Sequence, residues 1–415
     1  MKLLRFCAYF YPEKVSSSHL TDDVYCAYAK AGIHCTCIVP EPSRGISDEV
    51  RKEYKNKRTE VLYDGFVTVK RYPMIKEGAN PLQRAFRYFL CAIKTYFYAV
   101  REKDADVIFV TSTPPIMGAW GAKVAKKLSK KYHRRVPVVF DLQDIFPDSL
   151  VSAGLTQKGS FIWKIGRKIE NYTYSAADAI TVISEGFKKN IMAKGVPESK
   201  ITVVSNWIDM DAVHPVAKED NKLFEEFNLK RDNFTVVYAG NFGEVQGAEI
   251  ILDAAEILKE NKEIQFALFG GGARFEEAES KAKKTENVIV HPLLPQERVS
   301  EVYSLGDVAL ITCKPGSGGS AMPSKTWTIM ACNTPIIASF DTESDLAGVI
   351  KASGAGSCVP AGDADALAKA ILSAFEAWKS KTQDSAQLRD YVKLHAEKNT
   401  CINKYIEVIE NSASK

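Results

Sequence analysis

FTVVYAGNFGEVQG, residues 234–247, decides the fold. An apolar run ends on Gly240, a turn carries Gly243 and Gly247, and the helical pattern AEIILDAAEILKENK follows at 248–262. The same order already stands at the N-terminus, where LLRFCAYFYPE (3–13) precedes TDDVYCAYAKAG (21–32). The chain therefore starts a second time near Phe234. Before the restart, LLRFCAYF, CTCIVP, DVIFVTS, VPVVFDLQD, AITVIS and ITVVSN read as strands. After it, FTVVYAG, IQFALFG, NVIVHP, VALITC, TPIIAS and GSCVP do. Strands alternating with helices imply parallel sheets covered on both faces. The fold class is α/β, with two Rossmann-like, doubly wound domains. The first spans residues 1–207, a polar linker 208–232, the second domain 233–390, and a terminal helix with a frayed end 391–415. Such domains are expected to face a central cleft, because open α/β sheets bind ligands at the carboxyl ends of their strands.

The 415 residues suit two domains, and 46% hydrophobic residues support a sizeable core. A net charge of +4 is too mild to argue for nucleic acid. No stretch has the roughly 18 uninterrupted apolar residues of a transmembrane helix, and MKLLRFCAYFYPE reads as a first strand rather than a signal peptide. The nine cysteines include no C-x-x-C pair and sit mostly among apolar residues, which fits buried thiols in a reducing cytoplasm. No pair of histidines has metal-ligand spacing, so neither a metal nor a cofactor is expected.

Three loops in the second half are built for close backbone approach: Gly240 to Gly247, then Gly270-Gly271-Gly272 ahead of Arg274, then GSGGSAMPSK at 316–325. Each follows a strand and precedes a helix, a setting that favours an anion. Read together they point to a nucleotide diphosphate, with Lys325 and Arg274 as its charge partners. Ser324 stands where a helix cap is expected. A classical dehydrogenase is disfavoured, since G-x-G-x-x-G is missing.

In the first half, DLQDIFPDS (141–149) sets Asp141 and Asp144 just after a strand. A carboxylate there can accept a proton from a hydroxyl as a general base; the alternative is helix capping around Asp148. Ser17, Ser18 and His19 follow the first strand and are candidates for contacts to sugar or phosphate. Within LQRAFRYFLCAIKTYFYAVR (82–101), Arg84, Arg87, Lys94 and Arg101 share about a third of the helical circumference, with Phe86, Phe89, Ile93 and Phe97 opposite. Either the helix packs its aromatic side inward with a solvated basic face, or it lies on a membrane surface.

The order YAGNFGEVQG, FALFGGG, SLGDVALITC, PSKTWTIMACNTPIIAS, together with YFYPE, TSTPP, DLQDIFPDS, AADAITVIS and VVSNWID, resembles the family-4 glycosyltransferases of the GT-B type. More narrowly it is similar to bacterial O-antigen and capsule sugar transferases, including the N-acetylfucosaminyl transferase subgroup. The resemblance covers nearly the whole chain. It implies a retaining, metal-independent transfer of an N-acetylated or deoxy sugar, UDP-linked, to a lipid-linked saccharide. It also implies a cytoplasmic enzyme, peripheral on the inner face of the membrane, with no nucleic acid as partner. Gly240, Asn241, Phe242, Gln246, Gly271, Gly272, Arg274, Pro292, Ser320, Ser324, Lys325 and Thr328 would then meet the donor. Pro114 of TSTPP would join Ser17, Ser18 and His19 on the acceptor. The chain departs from the family at its Glu-x7-Glu pair, which falls on Ser320 and Thr328. Asn333 replaces the glycine before Thr334-Pro335, and Asn241 and Gln246 stand near the usual Arg and Lys. Two further readings stay open: a GT-B nucleotide-sugar 2-epimerase and, with Ser320 and Thr328 at the acidic positions, a non-catalytic glycosyltransferase-like partner.

Overall fold

The computed structural model describes residues 1–13, 18–78, 80–152, 154–320, 322–382 and 387–414. The chain divides into two compact units, Met1–Ser205 with Cys401–Lys415, and Asn206–Thr400.

The sheet of the first unit is built from β1 (Lys2–Phe6), β2 (His34–Pro40), β3 (Thr59–Leu62), β4 (Val67–Tyr72), β5 (Val107–Thr111), β6 (Val138–Leu142), β7 (Ala179–Val182) and β8 (Ile201–Val203). Its order is β3-β4-β2-β1-β5-β6-β7-β8, parallel throughout except for β3 against β4. The order reverses at β1 and β5. The second unit holds β9 (Phe234–Asn241), β10 (Ile264–Gly271), β11 (Val288–Pro292), β12 (Val308–Thr312), β13 (Ile336–Phe340) and β14 (Gly356–Pro360). These run all parallel as β11-β10-β9-β12-β13-β14, and the order reverses between β9 and β12. Strands β6, β12 and β13 are buried along their whole length, as the unbroken apolar runs require when helices cover both faces. In the second unit Phe234, Val236, Phe266, Leu268, Leu310 and Ile337 of the sheet pack with Ile251, Ala255, Leu367, Ile371 and Phe375 of its helices.

Helix ends follow the local chemistry. Ser344 accepts from the Ala347 N–H, and Gly354, at φ 66°, closes the helix Asp345–Ser353. Asp363 caps the helix Ala364–Lys379 through the Ala366 N–H at 2.8 Å.

Two features differ from the sequence reading. The β3–β4 hairpin went unread, although its turn, Tyr63-Asp64-Gly65, takes positive φ throughout. The Asp-Gly pair is the signal that marks such a turn; β3 is a polar edge strand with no apolar run to betray it. The tail expected as one helix is two, Leu388–His395 and Lys398–Ala413. The break lies at Glu397, whose carboxylate accepts the N–H groups of Asn399 (2.8 Å) and Thr400 (2.7 Å) and so starts a new helix.

Candidate functional site

Strands β9 and β10 are in register to their last residues, pairing Gly270 with Gly240 and Gly271 with Asn241. Two glycine-rich strand ends therefore lie side by side at the reversal point of the second sheet, where doubly wound folds bind ligands. The glycines answer to their neighbours. A Cβ on Gly270 would sit 2.1 Å from the Phe242 ring, and one on Gly272, at φ 117°, would meet Asn241 Oδ1 at 2.0 Å. Asn241 in turn donates to Gln246 Oε1 at 3.2 Å, and both lie on the exposed side of the loop. Phe242, expected beside the donor, is instead a core side chain wedged between Tyr238 and Phe275. Its N–H is bound to Gly271 O and its carbonyl to the Arg274 N–H, so it presents nothing polar outward.

Lys325 opens the helix Lys325–Ala331 and reaches this same edge. Its Nζ donates to Ala239 O at 2.9 Å and stands 4.3 Å from the centre of the Tyr238 ring. A Cβ on Gly240 would lie 2.6 Å from that Nζ, so the glycine keeps the ammonium's place open. Among the described residues no carboxylate forms an ion pair with Lys325. Burial without a counter-charge lowers its pKa to about 8.

The other expected charge partner is committed elsewhere. Arg274 pairs with Glu249 (2.6 Å), Glu244 (3.2 Å) and Glu277 (3.7 Å). The glycine-serine loop is committed as well: Asp341, just past β13, takes the N–H of Gly316 on Oδ1 (2.9 Å) and of Gly318 on Oδ2 (2.7 Å). A carboxylate of the chain thus holds amides that the sequence reading left for an anion. Asp341 was missed, although its placement, a carboxylate closing a buried strand, is the signal that singled out Asp141. Ser324 makes no capping hydrogen bond and is exposed. Thr328 sits one turn along from Lys325 on the same helix, partly exposed. Pro292 is exposed at the end of β11, next to His291, whose ring meets Phe227 edge-on at 4.8 Å. The side chains of Ser17, Ser18, His19 and Ser320 lie outside the described residues.

In the first unit, Asp141 and Asp144 part company. Asp141 is buried and saturated, accepting from Tyr405 Oη (2.6 Å), Thr181 Oγ1 (2.8 Å) and Gln143 Nε2 (3.2 Å). Burial raises its pKa against those donors. Oδ1 takes Tyr405 and Thr181, and Oδ2 takes Gln143 alone. Asp144 is exposed, with its backbone N–H on Ser112 Oγ at 3.2 Å. Loss of water around the carboxyl raises its pKa, opposed by hydrogen bonds from Ser149 and the Ile145 N–H. Pro114 is buried and its carbonyl accepts from Met117, so it offers little surface to an acceptor.

The helix Pro81–Ala99 does not pack its phenylalanines inward as the packed-aromatic reading expects, although Arg84 and Arg101 stay exposed. Phe86, Phe89 and Phe97 are 57%, 49% and 55% exposed, while Arg87 is fully buried and Lys94 reaches Pro73 O. On the same unit the helix Phe161–Ala176 exposes Phe161, Ile162 and Ile165 beside Lys164 and Lys168. No helix among the described residues is long and apolar enough to cross a membrane, and none of their His, Cys, Asp and Glu groups could hold a metal ion.

Known proteins match this architecture. A model of glycosyl transferases group 1 matches residues 219–393, and a model of Glycosyltransferase Family 4 matches residues 19–212. The probable glycosyltransferase WbjE of Pseudomonas aeruginosa is 28% identical over 294 residues, 70% of each chain. The putative colanic acid biosynthesis glycosyl transferase WcaI of Escherichia coli K12 is 24% identical over 418 residues, 99% of this chain and 100% of that one. Among solved structures, a sucrose-phosphate synthase from Thermosynechococcus elongatus superposes with TM-score 0.75 at 15% identity, covering 99% of this chain and 98% of its own. Anabaena HepE in complex with UDP superposes with TM-score 0.71 at 14% identity, covering 99% and 100%. At those identities the structural likeness speaks for the fold.

Proposed function

We propose that this chain, a GT-B glycosyltransferase of the family-4 type acting in polysaccharide biosynthesis, moves an N-acetylated or deoxy sugar from a UDP-linked donor to a lipid-linked saccharide with retention of configuration. The observation that carries the donor reading is Lys325, a half-buried lysine whose ammonium has, among the described residues, one backbone carbonyl for a hydrogen-bond partner, beside glycines at the reversal point of the second sheet. Breaking the glycosidic bond builds negative charge on the distal phosphate. A fixed cation directed there stabilises the transition state more than the ground state. Arg274 and the amides of Gly316 and Gly318 are spoken for, so the charge falls to Lys325. The HepE structures hold UDP and UDP-glucose, which supports the choice of base.

On the acceptor side, Asp144 is the carboxylate at a strand end that remains open to a hydroxyl, and it serves as general base. The exposed aromatic side chains of the first unit, interleaved with lysines, support contact with the membrane surface that carries a lipid-linked acceptor. Calorimetry tests the donor half: UDP binds, and Lys325→Ala removes the binding. No heat with UDP, GDP or ADP at millimolar concentration would sink the reading. Proton NMR of the product's anomeric carbon-bound hydrogen tests retention.

A further inference from the structure

A second cluster of charge lies at the carboxyl edge of the first sheet. Tyr9 follows β1, Arg44 follows β2 and Glu77 follows β4, while Arg84, Arg87 and Tyr88 come from the first half of the helix Pro81–Ala99. Glu77 receives Arg84 Nε and Arg87 Nη1, each at 3.3 Å, and the Tyr9 hydroxyl at 2.9 Å. Tyr9 also meets the Tyr88 hydroxyl at 3.0 Å, and its ring lies under the guanidinium of Arg44 at 5.2 Å and of Arg87 at 5.6 Å.

The cluster is short of anions. Three guanidinium groups gather around Glu77. Glu13 lies near enough to feel the charge of Arg87, but its oxygens accept the N–H groups of Ser43 (2.7 Å), Arg44 (2.8 Å) and Phe10 (3.3 Å) and give no hydrogen bond to a guanidinium, so two carboxylates still face three arginines. Arg87 is fully buried, and beyond the ion pair of its Nη1 with Glu77 neither Nη1 nor Nη2 makes a hydrogen bond among the described residues, while Nε donates to Ile75 O at 3.4 Å. A buried guanidinium with unused donors is costly unless something completes it. Its planar fork fits two oxygens of one tetrahedral anion. Arg44 and Arg84 stand exposed beside it.

We propose that Arg44, Arg84 and Arg87 form a binding site for a phosphate or pyrophosphate ester. Assigning that ester to the acceptor rests on the transferase reading above; the site itself does not. Phe86 and Phe89, exposed on the same helix, give an apolar surface next to the anion, suited to a phosphate attached to a lipid. The same chemistry in a soluble phosphate ester would use the arginines alone.

The test titrates inorganic pyrophosphate into the full chain saturated with UDP, so that the Lys325 site is filled. Wild type binds, and Arg44→Ala/Arg84→Ala binds at least about tenfold more weakly, the expected loss for charged contacts, with UDP affinity and unfolding temperature unchanged. Arg87→Lys keeps the buried charge but not the fork, and weakens binding as well. Flotation with phosphatidylcholine vesicles, with and without phosphatidic acid, separates the sources. Capture by the acidic vesicles that the double variant loses assigns a lipid phosphate. Pyrophosphate binding without capture assigns a soluble ester. A double variant that binds pyrophosphate like wild type overturns the site, as does wild type that binds none at millimolar concentration. If UDP itself does not bind, the donor reading fails separately, and the same titration on Lys325→Ala still decides the arginine site.

Discussion

Asp141 and Lys325 are both charged groups withdrawn from water at the edge of a parallel sheet, and they are partnered in opposite ways. Asp141 has three side-chain donors, and its pKa rises only because burial outweighs them. Among the described residues Lys325 has one backbone carbonyl, a tyrosine ring and no counter-charge. Desolvating a charge is expensive in either case. Where the chain supplies a full set of partners, the group is part of the fold. Where it supplies too few, the missing partner arrives from outside. By that measure Asp141 is closed and Asp144, only three residues on at the same strand end, is open.

The sharpest way to separate those two carboxylates is Asp144→Asn. Loss of a general base costs about 10²–10⁴-fold in turnover, and donor binding stays near wild type, because the residue acts on the acceptor. Activity within a few-fold of wild type would reduce Asp144 to a partner of Ser149. Next comes Lys325→Ala, expected to cost about 2.7–4 kcal/mol of transition-state stabilisation, as loss of an oxyanion contact does. Its apo form should unfold at the same temperature or slightly higher, since a poorly solvated cation has gone. An unfolded variant, or one with full activity, breaks the comparison at its second member. Asp141→Asn tests the first. The amide oxygen could keep Tyr405 and Thr181, but the amide nitrogen would then replace the oxygen that Gln143 Nε2 meets at 3.2 Å, setting donor against donor and leaving about 1–3 kcal/mol of unsatisfied hydrogen bonding. Thermal unfolding should register that loss, with activity per folded molecule retained. If activity fell without a change in stability, Asp141 would belong to the chemistry after all.

How far the chain could be read in advance follows the same division. Both parallel sheets were legible, because strands buried on two faces must be apolar throughout, as VVFDL and VALIT are. The β3–β4 hairpin was not, since an edge strand needs no such run. The position of Lys325, opening a helix after a glycine loop, was legible. The commitments of Arg274 and Asp141 were not, because their partners come from distant segments: Thr181 and Tyr405 lie 40 and 264 residues from Asp141. The helix Pro81–Ala99 showed two faces in sequence, but amphipathic spacing does not say which face turns inward. Glu77 and Tyr9 settle that by drawing Arg87 into the interior and leaving the aromatic residues outside.

The smallest effect, and the most specific to Lys325, is its dependence on pH. Burial sets its folded pKa at about 8, below the ordinary lysine value of 10.5. Between those values the unfolded chain holds a proton that the folded apo chain has released, so apo stability rises with pH across that window. Lys325→Ala should flatten the rise. A bound diphosphate reverses the sign at the site, because an anion beside the ammonium favours its charged form and lifts the pKa again. UDP binding near pH 8 should therefore take up a fraction of a proton, and affinity should fall as pH climbs past 8. The measurement is calorimetry of UDP in two buffers of different ionisation enthalpy, whose difference in heat gives the protons exchanged. Wild type should show uptake that Lys325→Ala loses. Equal uptake in both would place the titrating group elsewhere and leave Lys325 as a lysine that packs against Tyr238 without meeting the phosphate.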